Sequence, residues 1–390
     1  MSVIVRPPVL GIFGGGQLAR MSTVAAQALG FKVRVLDPDP HCPAATVCDE
    51  LITAAFDDSI AAQRLALGCV AVTVDLENVG LQAMRAAASH APVRPSADVL
   101  AIVQDRDTQR AWLRRHSFPI PEVIAVSSVT ELDAALAKVG RPAFVKTTRG
   151  GYDGKGQVRV ESDADHDQAR EMVRHVPCVV EQNVAFVAEL SVQIARGPEG
   201  DVAAFPPAYN HHENQILSWS MLPAPIPEAT KTAAVELATR AAERLSLIGL
   251  LTVELFLLED GSLLINELAP RPHNSYHSTL HNARSSQFDQ VVRAVTGLPL
   301  GDPSVLPYIV VANLLGDRWD DKGELDLQAP LAFAGVDVTI YGKRVARPAR
   351  KMGHLTATAS SPQAAFEAAA AAMSAMGSPL PTGRLDLSAV

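Results

Sequence analysis

A mixed α/β and α+β fold, opened by a parallel sheet and continued in hairpin-built regions, is predicted by three stretches of the sequence. Residues 9–36 run as strand, glycine turn, helix and strand, the start of a parallel β-α-β unit. Residues 144–160, FVKTTRGGYDGKGQVRV, set a glycine loop between two strands rather than before a helix. Residues 250–274 read as two apolar strands about an Asp260-Gly261 turn. With 390 residues the chain exceeds the ~300 that one core usually supports, so it should divide into domains. The expected divisions are 1–115, 116–186 and 187–390.

Composition narrows the function classes. Hydrophobic residues at 48% and charged residues at 19% suit a folded globular protein. The 34 basic and 42 acidic residues leave a formal charge of -8, which speaks against general affinity for nucleic acid or an anionic membrane. Arg6, Pro7 and Pro8 interrupt the short apolar start, and no apolar run approaches the ~18 residues of a membrane span, so a cytoplasmic protein is expected. Cys42, Cys48, Cys69 and Cys178 show no C-x-x-C pairing and read as reduced core thiols.

The first region opens with a strand over Val9–Phe13, a helix over Gln17–Leu29 and a strand over Phe31–Leu36. Gly14, Gly16 and Ala19 of GIFGGGQLARM fit the G-x-G-x-x-G/A dinucleotide fingerprint, with Asp37 where a ribose-binding acid is expected, which raises an NAD enzyme as one reading. The strand CVAVTVDLEN ends in Glu77 and Asn78. Ligands of open parallel sheets sit at the carboxyl ends of the strands, so Gly14 to Gln17, Asp37 and Glu77-Asn78 should share one rim. The alternative for Glu77 and Asn78 is a cap on the helix that follows.

An amphipathic helix over Arg106–Arg115 and a link marked by Pro119 and Pro121 lead to the second region, with strands AFVKTT, GQVRV and CVVEQNV. Bare backbone amides of a glycine hairpin can close over phosphate oxygens, so residues 150–157 resemble a lid. A flexible hairpin tip is the plainer alternative. The run Gly151 to Lys155 has the wrong spacing for a Walker A loop, and Gly156 stands where Ser or Thr should ligate the metal.

The third region begins near Val187 and ends in an Ala-rich helix, PQAAFEAAAAAMSAMG, expected to be scaffold. A hairpin turn centred between Asp260 and Gly261 sets Glu254 directly opposite Glu267, with Cβ atoms about 4.5–5.5 Å apart, where like charges destabilise a pair unless neutralised. A divalent cation would neutralise them, and an oxygen-only ligand set suits Mg²⁺ shared with substrate phosphates. Phe256, Leu258, Ile265 and Leu263, expected on the same face, argue against an open solvated pair, while a one-residue slip of the turn would separate the carboxylates. His273, His277 and His281 recur every four residues, but Pro270 and Pro272 oppose a helix there and Arg271 and Arg284 would repel Zn²⁺. His273 is expected instead to contact substrate, and His211 and His212 to be ligand or loop groups. Lacking a G-x-S-x-G elbow, the chain should perform phosphoryl transfer rather than covalent nucleophilic catalysis.

The glycine flap after a strand-end lysine, the VEQN strand end and the late paired carboxylates together resemble the ATP-grasp superfamily. Within it, GIFGGGQLARM, KTTRGGYDGKGQ, VEQNVAFVAELSV, NELAPRPHNS, SSQFDQVVRAVTGLPLG and ARKMGHLT resemble the family of N5-carboxyaminoimidazole ribonucleotide synthetases, over nearly the whole chain. The resemblance implies a three-domain ATP-grasp architecture with an N-terminal Rossmann-like sheet, and carboxylation of 5-aminoimidazole ribonucleotide with ATP and bicarbonate through carboxyphosphate. It implies ATP contacts at Arg106, Lys146, Gly151, Tyr152, Asp153, Gly154, Lys155, Gly156, Gln157, Glu181, Gln182, Asn183, Val184, Glu189, His212, Asn266 and Glu267. Mg²⁺ would be held by Glu254 and Glu267. Ribonucleotide contacts would be Gly15, Gly16, Gln17, Glu77, Asn78, Tyr152, Asp153, Arg271, His273, Asn274, Arg350 and Lys351, with Asp153, Arg271 and Lys351 in catalytic roles. A homodimer is also implied. Ala19 and Tyr276 depart from the family's usual Gly, TIYGK lacks the usual His, and Ala269 replaces an Asn that many superfamily members use as a metal ligand. A formate-using ATP-grasp transformylase, an NAD oxidoreductase and a non-catalytic nucleotide-binding protein remain as alternatives.

Overall fold

The computed structural model describes residues 6–151 and 155–383, so Tyr152, Asp153 and Gly154 lie outside the described residues. A parallel sheet in the order β3-β2-β1-β4 forms the first region, from β1 (Val9–Phe13), β2 (Lys32–Asp37), β3 (Glu50–Thr53) and β4 (Cys69–Val74). Its helices are α1 (Gln17–Ala28), α2 (Ser59–Ala66), α3 (Leu81–Ala88), α4 (Ala97–Val103) and α5 (Arg106–Arg115). Asp58 starts α2 by accepting the Ile60 and Ala61 amides, and Asp105 starts α5 by accepting the Thr108 amide at 3.0 Å, the usual work of an N-cap carboxylate. β4 stops at Val74, short of the expected Asn78, because Asp75 turns back toward α1. Neither Glu77 nor Asn78 caps α3, whose N-cap is Gly80 with no side-chain bond.

An antiparallel sheet in the order β5-β8-β6-β7 follows, from β5 (Val123–Val126), β6 (Ala143–Thr147), β7 (Gln157–Val160) and β8 (Cys178–Gln182). Helices α6 (Val129–Val139) and α7 (Asp163–His175) cover one face, and Leu132, Leu136, Ala169 and Val173 pack on Val145, Val158, Val160 and Val180. Lys146 pairs with Gln157, so the glycine loop joins adjacent antiparallel strands.

The remaining strands make one large sheet, nine strands among the described residues. They are β9 (Ala188–Arg196), β10 (Val202–Ala204), β11 (Ala208–Glu213), β12 (Ile216–Leu222), β13 (Gly249–Leu257), β14 (Leu263–Ala269), β15 (Tyr308–Leu315), β16 (Val336–Ile340) and β17 (Lys351–Ala359). Helices α8 (Glu228–Arg244), α9 (Thr279–Asn282), α10 (Gln287–Thr296), α11 (Gln328–Leu331) and α12 (Pro362–Ala375) complete the chain. The Ala-rich α12 lays Ala365, Ala369 and Ala372 into the main core, as scaffold. Val291, Val292 and Val295 of α10 join Leu10, Ile12, Val33 and Val35 of the first sheet to Ala195 and Leu250 of the large one. A Ser286-Asp289 capping box starts α10 and left-handed Gly297 (φ 77°) stops it.

The β13-β14 hairpin departs from its expected geometry in an informative way. Residues 258–262 form the turn, Leu257 pairs with Leu263, and Leu255 with Ile265, one residue out of the expected register. A β-bulge then intervenes, and Glu254 pairs with Glu267 after all. The bulge also flips side chains, so Leu263 and Ile265 lie in the main core with Leu255 and Leu257, not on the carboxylate face as expected. Phe256 does share the face of Glu254, where it stacks on Phe186 at 4.9 Å.

Candidate functional site

The carboxyl ends of β1, β2 and β4 form one rim, and its polar groups are largely satisfied from within. The Gly15 amide donates to Asp37 Oδ2 at 2.7 Å, and the Gly16 amide donates to Asp75 Oδ2 at 2.7 Å, with the Ala19 amide 3.4 Å from the same oxygen. Buried Asp75 thus takes the place that a ligand anion takes at such a helix start. A Cβ on Gly14 would stand 1.7 Å from Asp75 Oδ1, and Gly14 has φ +92°, so the sequence needs glycine there on both counts. Burial pushes the Asp75 carboxyl up to about 7, with the charge of Asp37 adding to it against the pull of the Gly16 amide. The Gly15 and Gly16 amides, expected to meet a dinucleotide or substrate phosphate, donate here to Asp37 and Asp75. Ala19, one of the departures, fits fully buried in the core beside this turn.

Glu77, in the loop beyond β4, reaches across to the third region, where its Oε1 lies 2.7 Å from Arg271 Nε. Burial would lower the Arg271 pKa, but the charge and hydrogen bond of Glu77 outweigh it and hold the guanidinium ionised. A cavity of about 610 Å³ opens beside this loop, lined by Asn78, Gly80, Gln104 and Arg149, next to the flap rather than over the paired glutamates.

Lys146 at the end of β6 forms a close ion pair with Glu181 of β8. Arg110 of α5 holds the other oxygen of Glu181 through Nη2 at 2.7 Å and Nε at 3.1 Å. Burial alone would raise the Glu181 pKa, but Arg110 and Lys146 carry it far below the usual carboxylate range. The Glu181 side chain is therefore committed inside the protein, 4% exposed between Arg110 and Lys146. Arg106 donates to the carbonyls of Thr147 at 3.2 Å and Gly151 at 3.3 Å, tying α5 to the root of the flap. On the other limb the Gly156 carbonyl accepts the Thr147 amide at 2.8 Å, and Gln157 bonds Gln215 in the turn between β11 and β12. Lys155 lies exposed on the same limb.

Glu254 and Glu267 face the cleft from β13 and β14. Glu254 Oε1 lies 3.1 Å from His273 Nε2, and its Oε2 accepts from Asn266 Nδ2 at 3.2 Å. Burial raises the Glu254 pKa, yet the His273 hydrogen bond and the charges of His273, His212 and Arg271 bring it below the ordinary value. Glu267 is partly open to solvent but hemmed in by protein; that desolvation, with the charges of Glu254 and Glu77 and against the pull of Arg106, pushes its carboxyl up. His273 Nδ1 lies 2.8 Å from Ser275 Oγ, so both ring nitrogens of this expected substrate contact have protein partners here, with Nε2 against Glu254. Gln287 fixes this histidine, accepting its amide at 2.8 Å and donating to its carbonyl at 3.0 Å. Nearby, His212 Nδ1 stands 2.9 Å from Glu189 Oε2; burial lowers the His212 pKa, but Glu189 overrides it and raises it.

The three histidines of the run are taken up by separate partners. His273 caps a short turn, His277 bonds Gln287, and His281 lies near Asp337; no group of three metal-ligating residues occurs among the described residues. Both amide atoms of Asn274 are out of solvent without a partner. Arg350 and Lys351 meet at the start of β17, where Lys351 is close enough for its charge to act on His212. Tyr276, another departure, sets its hydroxyl 2.8 Å from the Ser191 carbonyl and 3.0 Å from that of Pro206. Arg110, Asp75 and Gln287 are absent from the sequence-derived site. Arg110 is one of four arginines in RDTQRAWLRR, with nothing in the run to single it out.

A flap between two strands, a lysine-carboxylate hinge and paired glutamates on a late hairpin define an ATP-grasp ligase. Residues 111–288 match the ATP-grasp domain, residues 8–104 the ribonucleotide synthetase preATP-grasp domain, and residues 310–368 the phosphoribosylaminoimidazole carboxylase C-terminal domain. The chain is 40% identical over 354 residues to the N5-carboxyaminoimidazole ribonucleotide synthase of Bacillus subtilis, covering 91% of this chain and 92% of that one. An ADP complex of an N5-carboxyaminoimidazole ribonucleotide synthetase superposes with a TM-score of 0.88 at 38% identity, over 95% of this chain and 98% of that one. The Aspergillus clavatus enzyme in complex with ADP and 5-aminoimidazole ribonucleotide gives a TM-score of 0.88 at 30% identity, over 95% and 99% of the two chains. The chain belongs to the N5-carboxyaminoimidazole ribonucleotide synthase family.

Proposed function

We infer that this chain catalyses the ATP-dependent carboxylation of 5-aminoimidazole ribonucleotide in purine biosynthesis. Bicarbonate attacks the γ-phosphate of ATP to give carboxyphosphate and ADP. The exocyclic amine of the ribonucleotide then takes up the carboxyl group, with loss of phosphate and a proton. The observation that carries this reading is the convergence on one cleft of Lys146, the flap root and two facing carboxylates, with Arg271 directly beside them.

Glu254 and Glu267 fit a magnesium ion: they are oxygen donors set face to face, and burial with the repulsion of Glu254 and Glu77 raises the Glu267 carboxyl despite the charges of Arg106 and Lys146. When bound, the ion would offset the negative charge of the nucleotide phosphates. Lys146 would add charge at the same phosphates, exchanging Glu181 for them, and flap amides would exclude water from the acylphosphate. The backbone at Glu181 to Val184 would take the nucleotide base, with Glu189 and His212 at its ribose side. On the ribonucleotide side Gln17, Glu77, Asn78, Asn274, Arg350 and Lys351 supply the contacts; the unpartnered amide of Asn274 supports its place there. Arg271 would hold the anionic intermediate, and Asp153, by family resemblance, would orient the amine. A cytoplasmic homodimer is the proposed setting; among the described residues no helix is long and apolar enough to cross a membrane.

ADP release from MgATP, followed in CO₂-depleted buffer, tests the reading. Release that needs both 5-aminoimidazole ribonucleotide and bicarbonate is the expected result. Release indifferent to bicarbonate but dependent on formate and glycinamide ribonucleotide would assign the transformylase reaction instead.

A further inference from the structure

The bulge in β14 decides which residue faces Glu254, and the structure shows what holds it. β14 is the edge strand of the large sheet, so one of its two rows of backbone groups has no strand partner. In a regular strand the amides pointing to that free edge recur at every second residue. Here the Ile265 amide donates to the Pro119 carbonyl at 2.8 Å, and the Leu268 amide donates to Gln109 Oε1 at 3.2 Å. These two outward amides are three residues apart, a spacing open only to a strand with an extra residue between them. Gln109 Nε2 stands 3.5 Å from the Leu268 carbonyl, and Arg110 Nη1 stands 3.5 Å from that of Ile265. Both α5 side chains are 4% exposed, packed against the strand they read.

We propose that Gln109, acting with the Pro119 carbonyl, is a positioning residue that selects the bulged register of β14 and so sets Glu267, rather than Asn266, opposite Glu254. The consequence for metal binding rests on the reading of Glu254 and Glu267 as the ion's ligands. Without the clamp, β14 can recover regular pairing by slipping one residue, which relieves two facing like charges and dismantles the carboxylate pair.

The test uses the full chain with Gln109→Met, similar in length and without hydrogen-bonding groups. Amide hydrogen exchange at Leu268 should accelerate by about tenfold. Mn²⁺ binding in the presence of ADP, read by electron paramagnetic resonance, should weaken by about 10–100-fold, the usual effect of losing an outer-shell support. The thermal midpoint should move by only a few degrees. Gln109→Glu, which keeps an acceptor for the Leu268 amide, should recover much of both; Gln109→Asn serves if the methionine variant does not fold. Wild-type protection of Leu268 in Gln109→Met overturns the proposal, as does unchanged Mn²⁺ affinity with Leu268 exposed. If the wild-type chain binds no Mn²⁺ with ADP, the metal reading fails, and the Leu268 exchange alone then decides the clamp.

Discussion

Two carboxylates that face each other from adjacent strands are pushed in opposite directions by their surroundings. Glu254 has His273 and Asn266 on its two oxygens, while for Glu267 burial and the repulsion of Glu254 and Glu77 outweigh the charges of Arg106 and Lys146. Glu267→Gln should keep the fold but lower kcat by about 100-fold or more, the size of a lost electrostatic contact in the transition state, as measured by ADP release. Asp75 offers a pH signature. Its folded pKa of about 7 lies above the ordinary 3.8, so the group supports folding below pH 4 and withdraws that support as pH rises to about 7. Asp75→Asn should flatten urea-unfolding stability over that window by a few kcal/mol, since each tenfold change in proton affinity is worth about 1.4 kcal/mol. Sequence alone could find Lys146, Glu254 and Glu267, because strand ends and hairpin symmetry place them. Asp75 was hidden: one residue past a strand end, a carboxylate aimed at solvent and one folded back onto a glycine turn look the same.

Elements show why a correct pairing can follow from an incomplete geometry. The pairing next to the turn is one residue out of the register that Asp260-Gly261 suggested, and the bulge after Ile265 restores the difference. Alternation of apolar residues cannot announce a bulge, because the extra residue is held by groups on α5 and the Pro119 link, far away in sequence. The helix itself was legible, since RDTQRAWLRR follows an Asp cap and carries an amphipathic face. Its cementing role was not. Arg110→Met would leave Glu181 buried with Lys146 as its remaining cation, and should cost about 3–5 kcal/mol in denaturant unfolding. A loss under about 1 kcal/mol would mean that Glu181 finds water or protonates at little cost.

On the scale of the whole molecule, α10 joins the parallel sheet to the large one through Val291, Val292 and Val295. Val292→Ala removes two methyls from a fully buried position and should cost about 1–3 kcal/mol, with both sheets still unfolding in one calorimetric transition. Separate transitions would mean that the seam is not continuous. The cleft between these bodies is already lined with resident partners: Arg271 with Glu77, Lys146 and Arg110 with Glu181, His273 with Glu254, His212 with Glu189. Arg271, Lys146 and Arg110 each arrive with a resident counterion. Admission of a phosphorylated guest is thus an exchange of partners rather than a capture by bare charge. Stray inorganic anions gain little by entering, and affinity rests on a guest large enough to displace several carboxylates together.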